Sequence, residues 1–262
     1  MKQTHVSALP ADLPAALRSL LDGAELFDSS SSPAARVWHI SGKEDCYLKR
    51  AGPGALAREA EMTRWMHRKG MAAEVLHYFS GESDWLVTGA LSGKDGIAGE
   101  YRSDPRRLCL RMAELMRELH QSETAGCPIQ NRTGEYLETV WRGIGQGVWK
   151  PSLTVAGRFP WKNREEAADA VREYGTHLAR NTLIHGDFCL PNVILNGWRF
   201  SGYIDLDSGG VGDRHIDLYW MMWSLTFNLK DGGWADMFLD AYGKENVEPE
   251  LLRAVAACEC FG

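Results

Sequence analysis

Long apolar runs are missing from this sequence. No segment approaches the roughly 20 apolar residues that a membrane helix needs, and the stretch from Met1 to Pro14 has no apolar signal core. A cytoplasmic chain with no membrane partner is the expectation. Excess basic charge is missing too: 29 Lys and Arg against 35 Asp and Glu leave a net charge of −6. Nucleic-acid backbones select clustered cations, so nucleic acid is not an expected partner. The six cysteines, at 46, 109, 127, 189, 258 and 260, contain no C-x-x-C pair and join no histidine cluster. A disulfide scaffold and a structural zinc are therefore disfavoured, and reduced thiols are expected. Repeats and low-complexity tracts are absent apart from Ser29 to Ser32. There is no G-x-x-x-x-G-K-S/T, and no G-x-G-x-x-G precedes Lys49, so neither common glycine-rich anion loop is present.

What the chain does have is material for a core and one dense motif. With 44% hydrophobic and 24% charged residues over 262 positions, it can build one two-lobed unit or two small domains. The motif is His185-Gly186-Asp187-Phe188-Cys189-Leu190-Pro191-Asn192, followed by Tyr203-Ile204-Asp205-Leu206. Moving a phosphoryl group onto a hydroxyl needs a group that orients the hydroxyl and takes its proton. It also needs a divalent cation to neutralise the phosphate oxygens. Asp187 in a tight loop suits the first role, and Asn192, five residues on, can turn an amide oxygen toward a metal. Val193 to Leu195, Asn196-Gly197 and Arg199 to Ile204 read as strand, tight turn and strand, a hairpin that returns Asp205 beside Asn192. A His-Gly-Asp tripeptide by itself reads equally as a turn with a core histidine. Its combination with Asn192 and Asp205 points to ATP-dependent phosphotransfer, with Mg²⁺ on Asn192 and Asp205.

The run from Leu183 to Tyr219 resembles the catalytic core of the aminoglycoside 3'-phosphotransferases, a kinase-like family that inactivates antibiotics such as kanamycin. By that resemblance, HGDxxxxN makes Asp187 the catalytic residue and Asn192 a metal ligand. His185 supports the loop and Asp205 is the second metal ligand. Gly210-Val211-Gly212-Asp213-Arg214-His215-Ile216-Asp217 resembles the family's G-x-A-D-R-x-x-D, whose last Asp steadies the catalytic loop. The resemblance implies an α+β, bilobal protein-kinase-like fold. A small N-terminal antiparallel β-sheet lobe with one main helix, residues 1–90, would bind the nucleotide, and a larger, mainly helical C-terminal lobe, 91–262, would bind the acceptor.

The front half carries its own signals. Cys46 to Lys49 reads as a strand ending in lysine, and Leu56 to Lys69 as an amphipathic helix with Leu56, Met62, Trp65 and Met66 inward and Gly70 as its stop. Glu59, in the first turn, is within reach of Lys49. In kinase-like folds such a pair fixes the lysine that contacts the triphosphate. Taken singly, each residue reads as a surface lysine or a helix-dipole glutamate. Strand-like runs Ala73 to Phe79 and Asp84 to Thr88 lead into Gly89 to Leu91, which by resemblance is the hinge whose backbone pairs with adenine. Ser31 and Ser32 are candidates for the phosphate-covering loop, because hydroxyls donate to phosphate, although a serine run also reads as linker.

Helices are expected from Pro105, with Leu108, Met112, Leu115, Met116 and Leu119 on one buried face, then over 135–142, 164–180, 216–226, 234–242 and 249–257. The acceptor side departs from the family. Ile144 to Asn163, where better-known members carry an acidic loop for a polycationic drug, holds Lys150, Arg158 and Lys162 and no Asp or Glu. Asp207-Ser208 stands where the family has Gly-Arg. The last residues keep Glu259 and Phe261 from a segment whose carboxylates hold the drug in the family. Asp207, Glu259 and Phe261 are the substrate-binding candidates. The expected activity is ATP- and Mg-dependent phosphorylation of an aminoglycoside hydroxyl, conferring antibiotic resistance. The rival readings are a same-fold kinase of another hydroxylated small molecule, such as a sugar, choline or another antibiotic, and a pseudokinase binding module.

Overall fold

Alternation along the early strands sets the architecture of the first part of the chain. In the computed structural model, which describes residues 4–6, 10, 12–21, 23–31, 34–151, 155 and 158–262, strands β1 (Thr4–Val6), β2 (Glu25–Asp28), β3 (Arg36–Ser41), β4 (Cys46–Ala51), β5 (Val75–Phe79) and β6 (Asp84–Gly89) form one antiparallel sheet in the order β1-β2-β3-β4-β6-β5. Register places Trp38 opposite Leu48, Ile40 opposite Cys46 and Leu48 opposite Val87. These side chains share one face and bury it with Leu13, Leu17, Leu21 and Leu26. The Leu13–Leu21 segment, largely a 3-10 turn over Ala15–Leu21, and strands β1 and β2 were not anticipated by the sequence pattern. On the opposite face, Leu86 packs on Leu56 and Ala60 of helix α1 (Ala57–Arg68). Lys49 pairs with Leu86 across the strands, so the same alternation that buries Leu48 points Lys49 toward α1.

Helix α1 has no side-chain cap of its own. The buried Asp84 supplies one, accepting from the Gly54 N–H at 2.9 Å, the Leu56 N–H at 2.9 Å, the Tyr78 hydroxyl at 2.9 Å and the Ser80 hydroxyl at 2.6 Å. Burial works against its charge, but these donors hold the Asp84 carboxyl below its ordinary range. Met62, Trp65 and Met66 are buried as expected, and Gly70 ends the helix with φ +72°.

The chain divides into two compact units, 1–93 with 201–207, and 94–200 with 208–262. The second contains strand β7 (Lys94–Asp95), helices α2 (Gly99–Arg102), α3 (Pro105–His120), α4 (Arg132–Gly145) and α5 (Arg164–Tyr174), and strands β8 (Thr182–Ile184) and β9 (Val193–Asn196). Strand β10 (Arg199–Tyr203) begins in it and runs into the first unit. Strand β11 (Gly210–Gly212), which pairs antiparallel with β8, and helices α6 (Arg214–Leu229), α7 (Gly233–Tyr242) and α8 (Pro249–Cys258) complete it. An antiparallel first unit and a helix-rich second one make the chain α+β. The α3 stripe of Leu108, Met112, Leu115, Met116 and Leu119 is fully buried, and Asp104 caps the helix by accepting from the Arg107 N–H at 3.1 Å.

Two local expectations need correction. The helix expected over 164–180 stops at Tyr174 and gives way to a 3-10 turn at Gly175–His177. Glycine is a poor helix former, and the Ala179 N–H is taken by Asp213 at 2.6 Å. The β9–β10 turn centres on Gly197-Trp198, both left-handed with φ +56° and +72°, rather than on Asn196-Gly197, because a two-residue hairpin needs positive φ at both central positions. All six cysteines are free and buried. Among the described residues, no helix is long and apolar enough to cross a membrane.

Candidate active site

In the first unit, Lys49, Glu59 and Asp205 come together. Lys49 Nζ donates to Glu59 Oε2 at 2.7 Å and to Asp205 Oδ1 at 2.9 Å. Asp205 arrives from the far end of the sequence because the Tyr203 N–H donates to the Met71 carbonyl at 2.8 Å and Tyr203 bridges to Ala72. Its own backbone is left-handed, φ +57°, which aspartate tolerates better than most residues. Burial disfavours the Lys49 ammonium, but the charges of Asp205 and Glu59 more than offset it and hold the lysine protonated. Burial is the largest influence on Glu59 and pushes its carboxyl upward, while Lys49 pulls it back. The arrangement is one cation between a buried carboxylate, 7% exposed, and an outer one, 47% exposed.

The other first-unit candidates are less uniform. The Gly89 N–H is already committed to the Glu74 carbonyl at 3.0 Å, and the Ala90 N–H to the Asp45 carbonyl at 2.9 Å. No acceptor meets the Leu91 N–H among the described residues. Ser31 is exposed, and Ser32 lies outside the described residues. The serine that organises this loop is Ser30, whose hydroxyl accepts from the Val37 N–H at 2.9 Å while its own N–H donates to Asp28 at 2.9 Å. Asp207 is exposed, and its carbonyl accepts from Arg58 Nε at 2.6 Å.

In the second unit, the His185–Asn192 loop is fixed from below by Asp217. The buried Asp217 carboxylate accepts from the His185 N–H at 2.8 Å and the Gly186 N–H at 2.7 Å, and His120 Nε2 lies 3.1 Å from it. Gly186 has φ +79°, and a Cβ there would lie 1.9 Å from the Ser208 carbonyl oxygen, so only glycine fits. His185 is fully buried, with its Nδ1 accepting from the Asp187 N–H at 3.3 Å. Asn192 Nδ2 donates to the Asp187 carbonyl oxygen and to Asp187 Oδ2, both at 2.9 Å. Both amide hydrogens are thereby spent on Asp187, and no protein donor reaches Asn192 Oδ1 among the described residues. A hard oxygen left over in this way fits Mg²⁺, as does the half-exposed Asp205 carboxylate. Among the described residues no group of three His, Cys, Asp or Glu side chains gathers as a metal site.

The tail runs over α4. A Cβ on Gly143 would lie 1.8 Å from the Phe261 carbonyl oxygen, so this glycine is what lets the tail approach. Phe261 is 1% exposed and packs on Trp149 at 5.7 Å, with the Arg164 guanidinium 5.6 Å from its ring; it is a packing residue of the tail. Glu259 is buried and accepts from the Tyr136 hydroxyl at 2.8 Å. Burial, then the charge of Asp187, raises its carboxyl to about 7, against bonds from Tyr136 and the Trp220 indole that favour the ionised form. Two of the three cations of the 144–163 loop are engaged: Lys150 donates to the Gly262 carbonyl, and Arg158 pairs with Asp236 and the Gly232 carbonyl. His120, Tyr136 and Trp220 were missed by motif reading. His120 was the most accessible of them, lying four residues after Met116 on the apolar face of α3.

The raised Glu259 value has a consequence for stability. Below pH 4.5, its ordinary value, the carboxyl is protonated in folded and unfolded chains alike. From there to about 7 only the unfolded chain ionises, so this group's contribution falls as pH rises through that window and stays low above it. A shift of this size is worth on the order of 3 kcal/mol. Glu259→Gln, which keeps an acceptor for Tyr136, is expected to raise the melting temperature at pH 8 by several degrees and to leave it nearly unchanged at pH 5. Thermal melts at both pH values check this.

A family model described as "Phosphotransferase enzyme family" matches residues 25–256. The chain belongs to this family. It is 40% identical over 250 residues to a probable aminoglycoside 3'-phosphotransferase of Lactococcus lactis subsp. lactis (strain IL1403), covering 95% of each chain. It is 29% identical over 208 residues to an aminoglycoside 3'-phosphotransferase of Niallia circulans, covering 76% of this chain and 75% of that one. An aminoglycoside phosphotransferase from Streptomyces rimosus, solved with ADP and streptomycin, superposes with a TM-score of 0.71 at 21% identity, over 86% of this chain and 90% of that chain. That likeness shows the kinase-like fold of the phosphotransferase. The chain is an enzyme that transfers phosphate to an alcohol group, of the aminoglycoside 3'-phosphotransferase type expected from its motifs.

Proposed function

We propose that this phosphotransferase uses ATP and Mg²⁺ to phosphorylate a hydroxyl of an aminoglycoside, and so confers resistance. The observation that carries the reading is the Asp187–Asn192 pair: a carboxylate oriented by an amide whose own oxygen is left over for a cation. Lys49, pinned between Glu59 and Asp205, presents its ammonium to the triphosphate, and the Leu91 N–H serves adenine. Asp205 and Asn192 Oδ1 would hold Mg²⁺, which supplies charge neutralisation on the phosphate oxygens. Asp187 orients the acceptor hydroxyl and takes its proton. His185 and Asp217 keep the loop in place. Positioning and charge contribute more than base strength when the transition state is loose. Glu259, whose ionisation Asp187 opposes, becomes fully charged when an ammonium of the acceptor lies beside it. Relatives named for aminoglycosides support this choice of acceptor.

Mass spectrometry of a mixture of kanamycin, neomycin and streptomycin after incubation with Mg-ATP tests the reading. A gain of one phosphate on one compound is expected, together with resistance in a susceptible bacterium that Asp187→Ala removes. The acid-free 144–163 loop favours a second reading, a kinase of a less cationic hydroxyl compound. No gain on any aminoglycoside, with a gain on a sugar or choline, would establish it. Asp205→Ala removes one charge-assisted bond of about 1.5–3 kcal/mol and one metal donor. It should raise the KM for Mg-nucleotide about tenfold or more, and an unchanged Mg²⁺ requirement would contradict its role.

A further inference from the structure

Asp187 has a second donor that no motif announces. Two residues on, the Cys189 thiol lies with Sγ 3.1 Å from Asp187 Oδ1, and a longer contact, 3.7 Å, reaches the Trp220 carbonyl. Asn192 Nδ2 holds the other carboxylate oxygen, Oδ2, at 2.9 Å. The two oxygens are thus gripped from two sides, which fixes the plane of the carboxylate as well as its position. Burial, then the charge of Asp187, raises the Cys189 pKa well above its ordinary value, so the sulfur keeps its proton and acts as a donor. Ser224 of α6, fully buried, works in the opposite sense and favours the ionised form, without reversing the shift. Ser224 Oγ accepts from the Leu190 N–H at 3.0 Å and from Asn228 Nδ2 at 3.3 Å, and the Ser224 carbonyl takes Asn228 Nδ2 at 2.8 Å. Ser224 thus ties the backbone next to Cys189 to α6 through the Leu190 N–H, and the Cys189 thiol donates to Asp187.

We propose that Cys189 is a positioning residue for phosphoryl transfer, its thiol hydrogen bond, in a loop that Ser224 anchors at the Leu190 N–H, holding the Asp187 carboxylate in the plane from which it receives the acceptor proton. The inference rests on the reading of Asp187 given above. A thiol is well matched to this role because it is a weak donor: it orients the carboxylate while withdrawing little of its basicity, where a charged donor would withdraw much more. Transfer moves the acceptor proton to a carboxylate oxygen of Asp187 as the acceptor oxygen bonds to the γ-phosphorus and the bond from that phosphorus to the β,γ-bridging oxygen breaks, its electron pair leaving on ADP; the thiol proton stays on sulfur throughout.

The test compares Cys189→Ala, Cys189→Ser, Asp187→Asn and the double variant Asp187→Asn/Cys189→Ala in the intact chain. It uses steady-state phosphotransfer to the acceptor found by mass spectrometry, or Mg-ATP hydrolysis where no acceptor is found. Cys189→Ala is expected to lower kcat about tenfold while both KM values stay within twofold, and Cys189→Ser, which restores a donor, to recover most of the loss. In the Asp187→Asn background, Cys189→Ala should have no further effect. The proposal is overturned if Cys189→Ala keeps the wild-type kcat, if the alanine and serine variants lose equally, or if the two losses add in the double variant. Should Asp187→Asn itself retain turnover, the reading of Asp187 falls first. A dead Asp187→Asn beside an unaffected Cys189→Ala sinks the cysteine alone. If Cys189→Ala fails to fold, the ratio of kcat between Cys189→Ser and wild type decides: near unity upholds the donor role, and a tenfold loss overturns it.

Discussion

Asp187→Ala is expected to remove phosphotransfer, lowering kcat by roughly 10²–10⁴-fold, the range for loss of a positioned acid–base group, while nucleotide binding stays largely intact. Turnover and nucleotide binding draw on different residues. The charges proposed for the nucleotide, Lys49, Glu59 and Asp205, lie in the first unit and touch one another, while Asp187 lies in the second. The bonds of the lysine cluster, Lys49 to Glu59 and Lys49 to Asp205, do not involve Asp187. Its removal does strand two donors on buried residues, Asn192 Nδ2 and the Cys189 thiol, but the loop itself is held by Asp217. Steady-state rates, with a fluorescence titration of a nucleotide analogue, separate the two effects. Near-normal turnover would remove Asp187 from the mechanism, and a parallel loss of nucleotide affinity would show that the loop shapes both sites.

The largest effect on stability is expected at Asp217. Its carboxylate is fully buried and accepts from two consecutive backbone N–H groups while facing His120, which in turn lies 2.9 Å from the Tyr242 hydroxyl. Asp217→Ala leaves the His185 and Gly186 N–H groups buried without acceptors, at about 1–3 kcal/mol each, and leaves His120 without its partner. The sum rivals the roughly 5–15 kcal/mol that holds a typical protein together. We expect a melting temperature lower by about ten degrees or more, or no soluble protein. Asp217→Asn should fall between alanine and wild type, because its amide keeps one acceptor oxygen but turns an NH₂ toward a neighbouring N–H. A urea titration that finds Asp217→Ala as stable as wild type would show that water reaches these donors.

The catalytic loop was readable because its chemistry is local. His185, Gly186, Asp187 and Asn192 stand within eight residues, and glycine is the one residue whose backbone and volume suit position 186. The Lys49–Glu59 pair was legible for a similar reason: strand alternation faces Lys49 toward the helix that begins eight residues later. The rest depends on contacts the sequence does not display. His120, Tyr136 and Trp220 come from three different helices, and each looks like ordinary core until its partner is known. The two lysines and one arginine of the 144–163 loop read as a hostile surface for a cationic acceptor. In the structure Lys150 and Arg158 are spent on the tail and on Asp236, which lie 112 and 78 residues away in sequence. Beside the candidates Ser31 and Ser32, Ser30 bonds to the facing strand, a contact with no signal in the serine run itself.

The burial of all six thiols has a practical side. Burial raises Cys46 to about 11 and both Cys109 and Cys260 to about 12, far from the thiolate form that alkylating reagents attack. A maleimide dye offered to the native fold should find nothing to react with, whereas a single cysteine introduced at an exposed site such as Glu82 would take it up alone. Fluorescent reporters can thus be attached one at a time, with the natural cysteines, Cys189 among them, left in place.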